Sequence, residues 1–208
     1  MGAVGGDGVV ERAIEAIKAG HPVLLPTDTV YGLVTSAYRE DYASRVYRLK
    51  GRDETQPTAL LAAGVDALFE CLPELRGRSG VIARTLFPGP FTLILPNPAR
   101  RFRWLTGTRT DAIGVRVPEL PEPSHRVIEA AGCAMATSAN EPGGADPATL
   151  DDVPKRIREG CAAEIDAGRL PGTPSTVIDF TRDEPYVIRE GAAPVAEALA
   201  RVKAALAA

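Results

Sequence analysis

The chain has 208 residues, 45% of them apolar and 25% charged, with a formal net charge of −3. At about 100–200 residues per domain this is one globular domain, long enough to bury roughly 70% of its unfolded surface without disulfides, and disordered, coiled-coil and fibrous classes are excluded. A whole-surface polyanion binder is usually basic, so any nucleic-acid contact here is expected to be local.

Residues 1–8 are glycine-rich and are expected to be a flexible N-terminus ahead of one domain over 9–208. From Val9 to Ala19 the apolar spacing Val10, Ile14, Ile17 predicts a helix stopped by Gly20. Val23–Leu25 and Tyr31–Ala37 read as short buried strands. Asp41 is the expected cap of a helix that carries Val46 and Leu49 inward and delivers Lys50, Gly51 and Arg52 at its end. Thr58–Ala62 reads as a strand and Ser79–Phe87 as a helix. The run Phe87-Pro88-Gly89-Pro90 is a turn signal. Phe91–Leu95 and Ile113–Val117 follow as strands, then Pro123–Ala131 as a helix closed by Gly132. Cys133–Thr137 is a strand opening into a loop over 138–148. Ser175–Phe180 and Tyr186–Arg189 are strands joined by a polar turn, and a last helix from Pro194 sets Val195, Leu199, Val202 and Leu206 on one face. The alternation predicts one twisted mixed α/β (α+β) sheet with helices packed on it.

No phosphate-binding glycine loop, dinucleotide fingerprint or metalloprotease helix occurs, and His21 and His125 are far apart in the chain. No C-x-x-C pair exists, so no protein-held metal site is expected. Cys71, Cys133 and Cys161 are expected to be free thiols of a reducing cytosol. No signal peptide is read at the N-terminus, and no apolar run approaches the ~20 residues of a membrane span. The expected location is cytoplasmic.

What remains is a set of polar residues at strand ends. Thr27-Asp28-Thr29 fits either a plain turn or a site. Lys50 and Arg52 fit either partners of a helix C-terminus or an anion site, with Arg52 forking onto phosphate and Lys50 as a point charge. Only four lysines stand against twenty arginines, which tilts Lys50 toward a role. Ser138-Ala139-Asn140 with Gly143-Gly144 fits an ordinary loop or a close approach of backbone to a nucleotide. Arg116, flanked by Val115 and Val117, is either solvated or a buried anion clamp.

Taken in order, the run from Pro26 to Leu33, Phe87-Pro88-Gly89-Pro90 with Thr92, Arg103-Trp104-Leu105-Thr106-Gly107, Gly114 to Pro118, Ser138-Ala139-Asn140 and Ser175-Thr176-Val177 resemble the YrdC-like proteins, the L-threonylcarbamoyladenylate synthases. The resemblance extends from about Val9 to Gly191 and is to the short, single-domain form. It implies a YrdC/RibB-like fold and a nucleotidyltransferase reaction. L-threonine, bicarbonate and ATP with Mg²⁺ give threonylcarbamoyl-adenylate and pyrophosphate, which downstream threonylcarbamoyl-transferase proteins use on adenosine 37 of tRNA. It implies a tetrad of Lys50, Arg52, Ser138 and Asn140, with Lys50 and Arg52 catalytic. Arg52, Gln56, Ser138, Asn140 and Arg189 would meet ATP, and Thr29, Arg116 and Ser175 would meet threonine. The chain departs from the pattern at Asp53, where proline is usual, at Gln56, Thr58 and Pro142. Asp53 is expected to bring negative charge near the phosphates.

Two other readings stand beside this one. A paralogue could bind tRNA or double-stranded RNA without turnover, using Arg100, Arg101, Arg103 and Trp104. The acidic total charge favours a solvated loop there instead. Carbamoyl transfer, as in the YrdC-like domains of hydrogenase-maturation proteins, would come with additional domains.

Overall fold

The computed structural model describes residues 6–208. Among these, α1 (Asp7–Lys18), β1 (Val23–Pro26), β2 (Tyr31–Ser36), α2 (Glu40–Lys50), β3 (Ala59–Ala62), α3 (Val65–Cys71) and α4 (Gly77–Leu86) make up the first half. The second half holds β4 (Phe91–Pro96), β5 (Ala112–Arg116), α5 (Glu122–Ala131), β6 (Cys133–Ser138), α6 (Lys155–Glu159), β7 (Ala163–Glu164), β8 (Thr176–Asp179), β9 (Tyr186–Arg189) and α7 (Val195–Ala207). All nine strands form one mixed sheet in the order β7-β1-β2-β6-β3-β5-β4-β8-β9. The pairs β1–β7, β3–β5 and β4–β8 are parallel and the other five antiparallel.

The pleat divides each strand's side chains between two layers. Leu24, Leu33, Leu60, Met135, Leu93, Leu95, Val115 and Ile178 join the larger core under α2, α3, α4 and α7. Val23, Leu25, Val34, Leu61, Ala134 and Ala136 face the other way, against Val10, Ala13 and Ile17 of α1 and Val127 and Ile128 of α5. Because both faces are covered here, the first strands read as unbroken apolar runs rather than alternating ones. The α1–α5 layer stops there, however. Thr92 and Ile94 of β4, Ala112, Gly114 and Arg116 of β5, and Val177 of β8 also point to that second face, and there they line a cavity instead of a core.

Several expectations are corrected. Helix α1 begins at Asp7, so Asp7 and Gly8 belong to it, while residues 1–5 of the expected flexible terminus lie outside the described residues. The cap of α2 is Arg39, with Asp41 in the first turn, where its carboxylate meets Arg39 (2.8 Å) and Arg45. In α7 the buried positions are Ala198 and Val202, and Leu206 is exposed. The cysteines are not all free: Cys71 and Cys133 form a disulfide, and only Cys161 is a thiol, pushed up to about 12 by burial. The cause of the miss is α3, a helix of seven residues with no strong periodicity, whose end carries Cys71 to the first residue of β6 across 62 residues of chain.

Candidate active site

The floor of the cavity is set by small residues. Ala136, Ala59, Gly114 and Ile94 stand side by side across β6, β3, β5 and β4. Three of these four side chains are methyl or smaller, so a cavity of about 440 Å³ stays open above the sheet. Its walls carry Arg52, Arg109, Arg116, Arg189, Thr106, Ser138, Asp146 and Ser175.

Lys50 occupies the last turn of α2, and Gly51 closes that helix in the left-handed region, at φ 70°. The turn reverses the chain so that Lys50 points inward, and at 1% exposure it is among the largest buried side chains. Its ammonium donates to the Ser138 carbonyl (2.5 Å) and to Asn140 Oδ1 (2.8 Å). Ser138 Oγ donates to the same Oδ1 (2.6 Å), and Asn140 Nδ2 donates to the Gly144 carbonyl (2.6 Å). Burial first, and Arg52 second, lower the Lys50 pKa from 10.5 to about 8, against the pull of Asp146. The point charge expected at Lys50 is thus fixed and desolvated. Arg52 is half-buried rather than exposed: Nη2 donates to the Pro57 carbonyl (2.8 Å), and Nε is buried without an acceptor among the described residues. A buried donor without a partner is costly, and an anion in the cavity would supply one.

A second group lies around Arg116. Its Nη2 donates to Asp28 Oδ1 (3.1 Å) and Thr29 Oγ1 (3.2 Å), and its Nε is the other buried donor without an acceptor. Arg189 donates from Nε and Nη2 to the Ser175 carbonyl (3.0 and 2.8 Å) and from Nη2 to Ser175 Oγ, which also pairs with Thr92 Oγ1 (2.8 Å). Burial raises the Asp28 carboxyl above its usual range, with Arg116 opposing; the direct ion pair keeps both groups charged.

The sequence-derived residues therefore separate. Arg52, Ser138, Arg116, Ser175 and Arg189 line the cavity. Lys50 and Asn140 form a bonded layer against Ser138. Thr29 is fully buried beside Arg116, bonded to Thr27 (3.1 Å), and does not line the cavity. Gln56 is exposed in the turn over 51–57 and does not line it either; its carbonyl accepts from the Tyr47 hydroxyl (3.3 Å). Asp53 is exposed and bends back on Thr55, accepting from its N–H (2.8 Å) and hydroxyl (2.7 Å), so its charge is spent in the turn. Arg109 and Asp146 were not foreseen, and Asp28 and Thr92 stood in candidate motifs without an assigned role. Thr92 was legible as the polar member of the Thr92/Ile94 alternation, whereas Asp28 lay hidden in a sequence that also makes a turn.

The arginine-rich run lies elsewhere. Arg101 pairs with Glu74 (2.9 Å), and Trp104 donates to the Ala37 carbonyl (2.9 Å) with its ring edge-on to Phe102. These residues line a separate hollow with Tyr38 and Cys71. His21 and His125 are exposed and line neither. Among the described residues no group of three His, Cys, Asp or Glu side chains is placed to hold a metal, and no helix is long and apolar enough to cross a membrane.

The molecule is an α/β protein whose half-covered sheet leaves one cavity fringed with arginines and hydroxyls. The Sua5–YciO–YrdC family model, described as telomere recombination, matches residues 15–191. The chain is 33% identical to the threonylcarbamoyl-AMP synthase of Pyrococcus abyssi, over 87% of this chain and 53% of that one. It is 32% identical to the threonylcarbamoyl-AMP synthase of Halorhodospira halophila, over 88% and 90%. Among solved structures, P. abyssi Sua5 complexed with L-threonine matches with a TM-score of 0.83 at 31% identity, over 93% of this chain and 56% of that one. Escherichia coli YciO matches at 0.72 and 25% identity, over 90% and 91%. The chain belongs to the Sua5–YciO–YrdC family and has the expected fold. It spans about half the length of the Pyrococcus relative.

Proposed function

We propose that the chain is an L-threonylcarbamoyladenylate synthase, joining L-threonine, bicarbonate and ATP with release of pyrophosphate. The observation that carries this reading is the pair of buried arginine donors without acceptors, Arg52 Nε and Arg116 Nε, each in a guanidinium that lines one cavity. Two anionic groups of one reaction, a nucleotide triphosphate and an amino-acid carboxylate, would each find a waiting donor. The relatives bearing the synthase name, and one solved complex with L-threonine, support the choice of substrates.

In this reading threonine's neutral amine attacks the carbon of bicarbonate and water leaves, which gives a carbamate. Its oxygen attacks the α-phosphorus, and the bond to pyrophosphate breaks. Every participant is anionic, so the protein's main work is to hold like charges together, without a nucleophile of its own. Arg52 holds phosphate oxygens by charge-assisted bonds. Lys50 supplies fixed positive charge from behind Ser138, where low dielectric strengthens it. Arg116 and Ser175 receive the threonine, with Arg189 fastening Ser175 in place. The residues fit a Mg²⁺ that arrives on the triphosphate, since Asp146 puts one hard carboxylate at the cavity wall. Bound there, the ion would offset charge on the phosphates and the departing pyrophosphate. The product in this reading is a mixed anhydride that passes to a transferase acting on tRNA, and the reaction is a cytoplasmic one.

The test is pyrophosphate release. It is expected only when ATP, threonine and bicarbonate are all present. RNA binding without such turnover would overturn the assignment.

A further inference from the structure

Arg116 is the side chain on which the amino-acid end of the proposed site depends, and it is gripped from behind. Asp28 lies in the tight turn between β1 and β2, where Thr27 Oγ1 accepts from the Thr29 and Val30 N–H groups (3.2 and 3.3 Å) and donates to the Val30 carbonyl (2.7 Å). This lattice fixes the Asp28 backbone without using its side chain. One carboxylate oxygen then takes Arg116 Nη2 (3.1 Å), and the other accepts from the Glu119 N–H (3.3 Å), three residues beyond Arg116. Both partners of the pair are nearly enclosed, at 13% and 10% side-chain exposure. Most ion pairs of the described residues are far more exposed, as with Arg39–Asp41 at 63% and 49%.

Two acceptors, one of them a carboxylate in a charge-assisted bond, tether the guanidinium at Nη2 and restrain how far it can swing. Here only Nη2 is used; Nε is buried without an acceptor, and Nη1 has none among the described residues. Thr29 Oγ1 shares Nη2 but brings no charge and does not reach Glu119. A flexible arginine would have to be ordered when substrate binds, at a cost in rotamer entropy; one already clamped is not.

We propose that Asp28 is the positioning residue that presents Arg116 to the carboxylate of the amino-acid substrate. This rests on the reading of the cavity as a threonine site. Asp28 itself is absent from the cavity lining, so it acts through Arg116 rather than on the substrate.

The experiment is calorimetry of L-threonine and of a non-hydrolysable ATP analogue, on the full chain and its Asp28→Asn variant, with the Arg116 Nε–H resonance followed by NMR. Asp28→Asn is expected to weaken threonine at least tenfold, to leave the ATP analogue within threefold, and to raise KM for threonine while kcat changes little. In the parent protein the Arg116 Nε–H signal is expected to be resolved without ligand and to move when threonine is added. Equal threonine affinity in parent and variant overturns the proposal, as does an equal loss for both ligands, which marks a merely structural role. An unresolved, rapidly exchanging Arg116 signal in the ligand-free parent overturns it as well, whether or not the variant folds. Failure of the parent to bind threonine sinks the threonine reading itself, whereas a resolved Arg116 signal lost in the variant would still show the clamp.

Discussion

Lys50 and Arg52 lie two residues apart, yet their environments differ, and the difference sets what substitution does. With its pKa lowered to about 8, Lys50 is half-charged near that pH. The folded-state value is below the unfolded one, so between about pH 8 and 10.5 the unfolded chain binds more protons and stability rises with pH. Over one and a half pH units this is worth at most about 2 kcal/mol. Denaturant titrations at pH 8 and 9.5 should show that rise in the parent and its absence in Lys50→Met. Turnover should run the opposite way, falling above pH 8 as the fixed positive charge is lost. Lys50→Arg cannot be the neutral swap that an exposed lysine would allow, because a planar fork does not fit between the Ser138 carbonyl and Asn140. Arg52→Ala removes one hydrogen bond, to Pro57, and should cost about 1 kcal/mol of stability. Losing its charge-assisted phosphate contact should lower turnover roughly a hundredfold, about 2.7 kcal/mol. A variant with parental turnover at saturating Mg-ATP would remove Arg52 from the site.

Among the elements, β6 couples the two halves of the molecule. It starts at Cys133, bonded to α3, and ends at Ser138, whose carbonyl holds Lys50. The disulfide closes a loop of about sixty residues. On the chain-entropy account, opening it costs about 4 kcal/mol. Cys71→Ser should lower the denaturation midpoint accordingly, and thiol titration of the unreduced unfolded parent should find one free cysteine of three. The other sensitive strand is β5. A Cβ added at Gly114 meets nothing closer than 3.5 Å, so Gly114→Ala should fold normally. Gly114→Val pushes branched carbons into the cavity beside Ile94. It should keep its circular dichroism spectrum and lose nucleotide binding; undiminished affinity would show that the ligand does not lie over this floor.

For the whole molecule, the open half of the sheet makes ligand binding and stability one quantity. A ligand at a hundred times its Kd stabilises by about 2.7 kcal/mol, or roughly 5–10 °C in a domain of this size. Thermal scans with Mg-ATP and with threonine should each raise Tm by that order, and scans with valine much less, because a valine side chain leaves buried hydroxyl partners unpaired. Equal shifts with threonine and valine would refute the polar pocket.

Periodicity and turn chemistry alone specified most of the elements. The period-3.6 pattern marked α1 and α5, unbroken apolar runs marked β1 and β6, and Gly51 and Gly132 marked helix ends. Short elements such as α3, α6 and β7 left no such mark, since five or seven residues scarcely complete a period. Motif order placed Arg52, Arg116, Ser138, Ser175 and Arg189 in a site, and all five line one cavity. Which of the remaining residues face it was not legible, because Gln56 is left exposed in its own turn and Thr29 is buried against Arg116, 87 residues away. The sequence by itself determined the alternation of helices and strands and the family they belong to, since these follow from local pattern. Tertiary structure alone decided that Lys50 is buried, that Cys71 meets Cys133 and that Asp28 holds Arg116, because each depends on contacts between segments 62 to 90 residues apart, and no local pattern encodes a partner at that range.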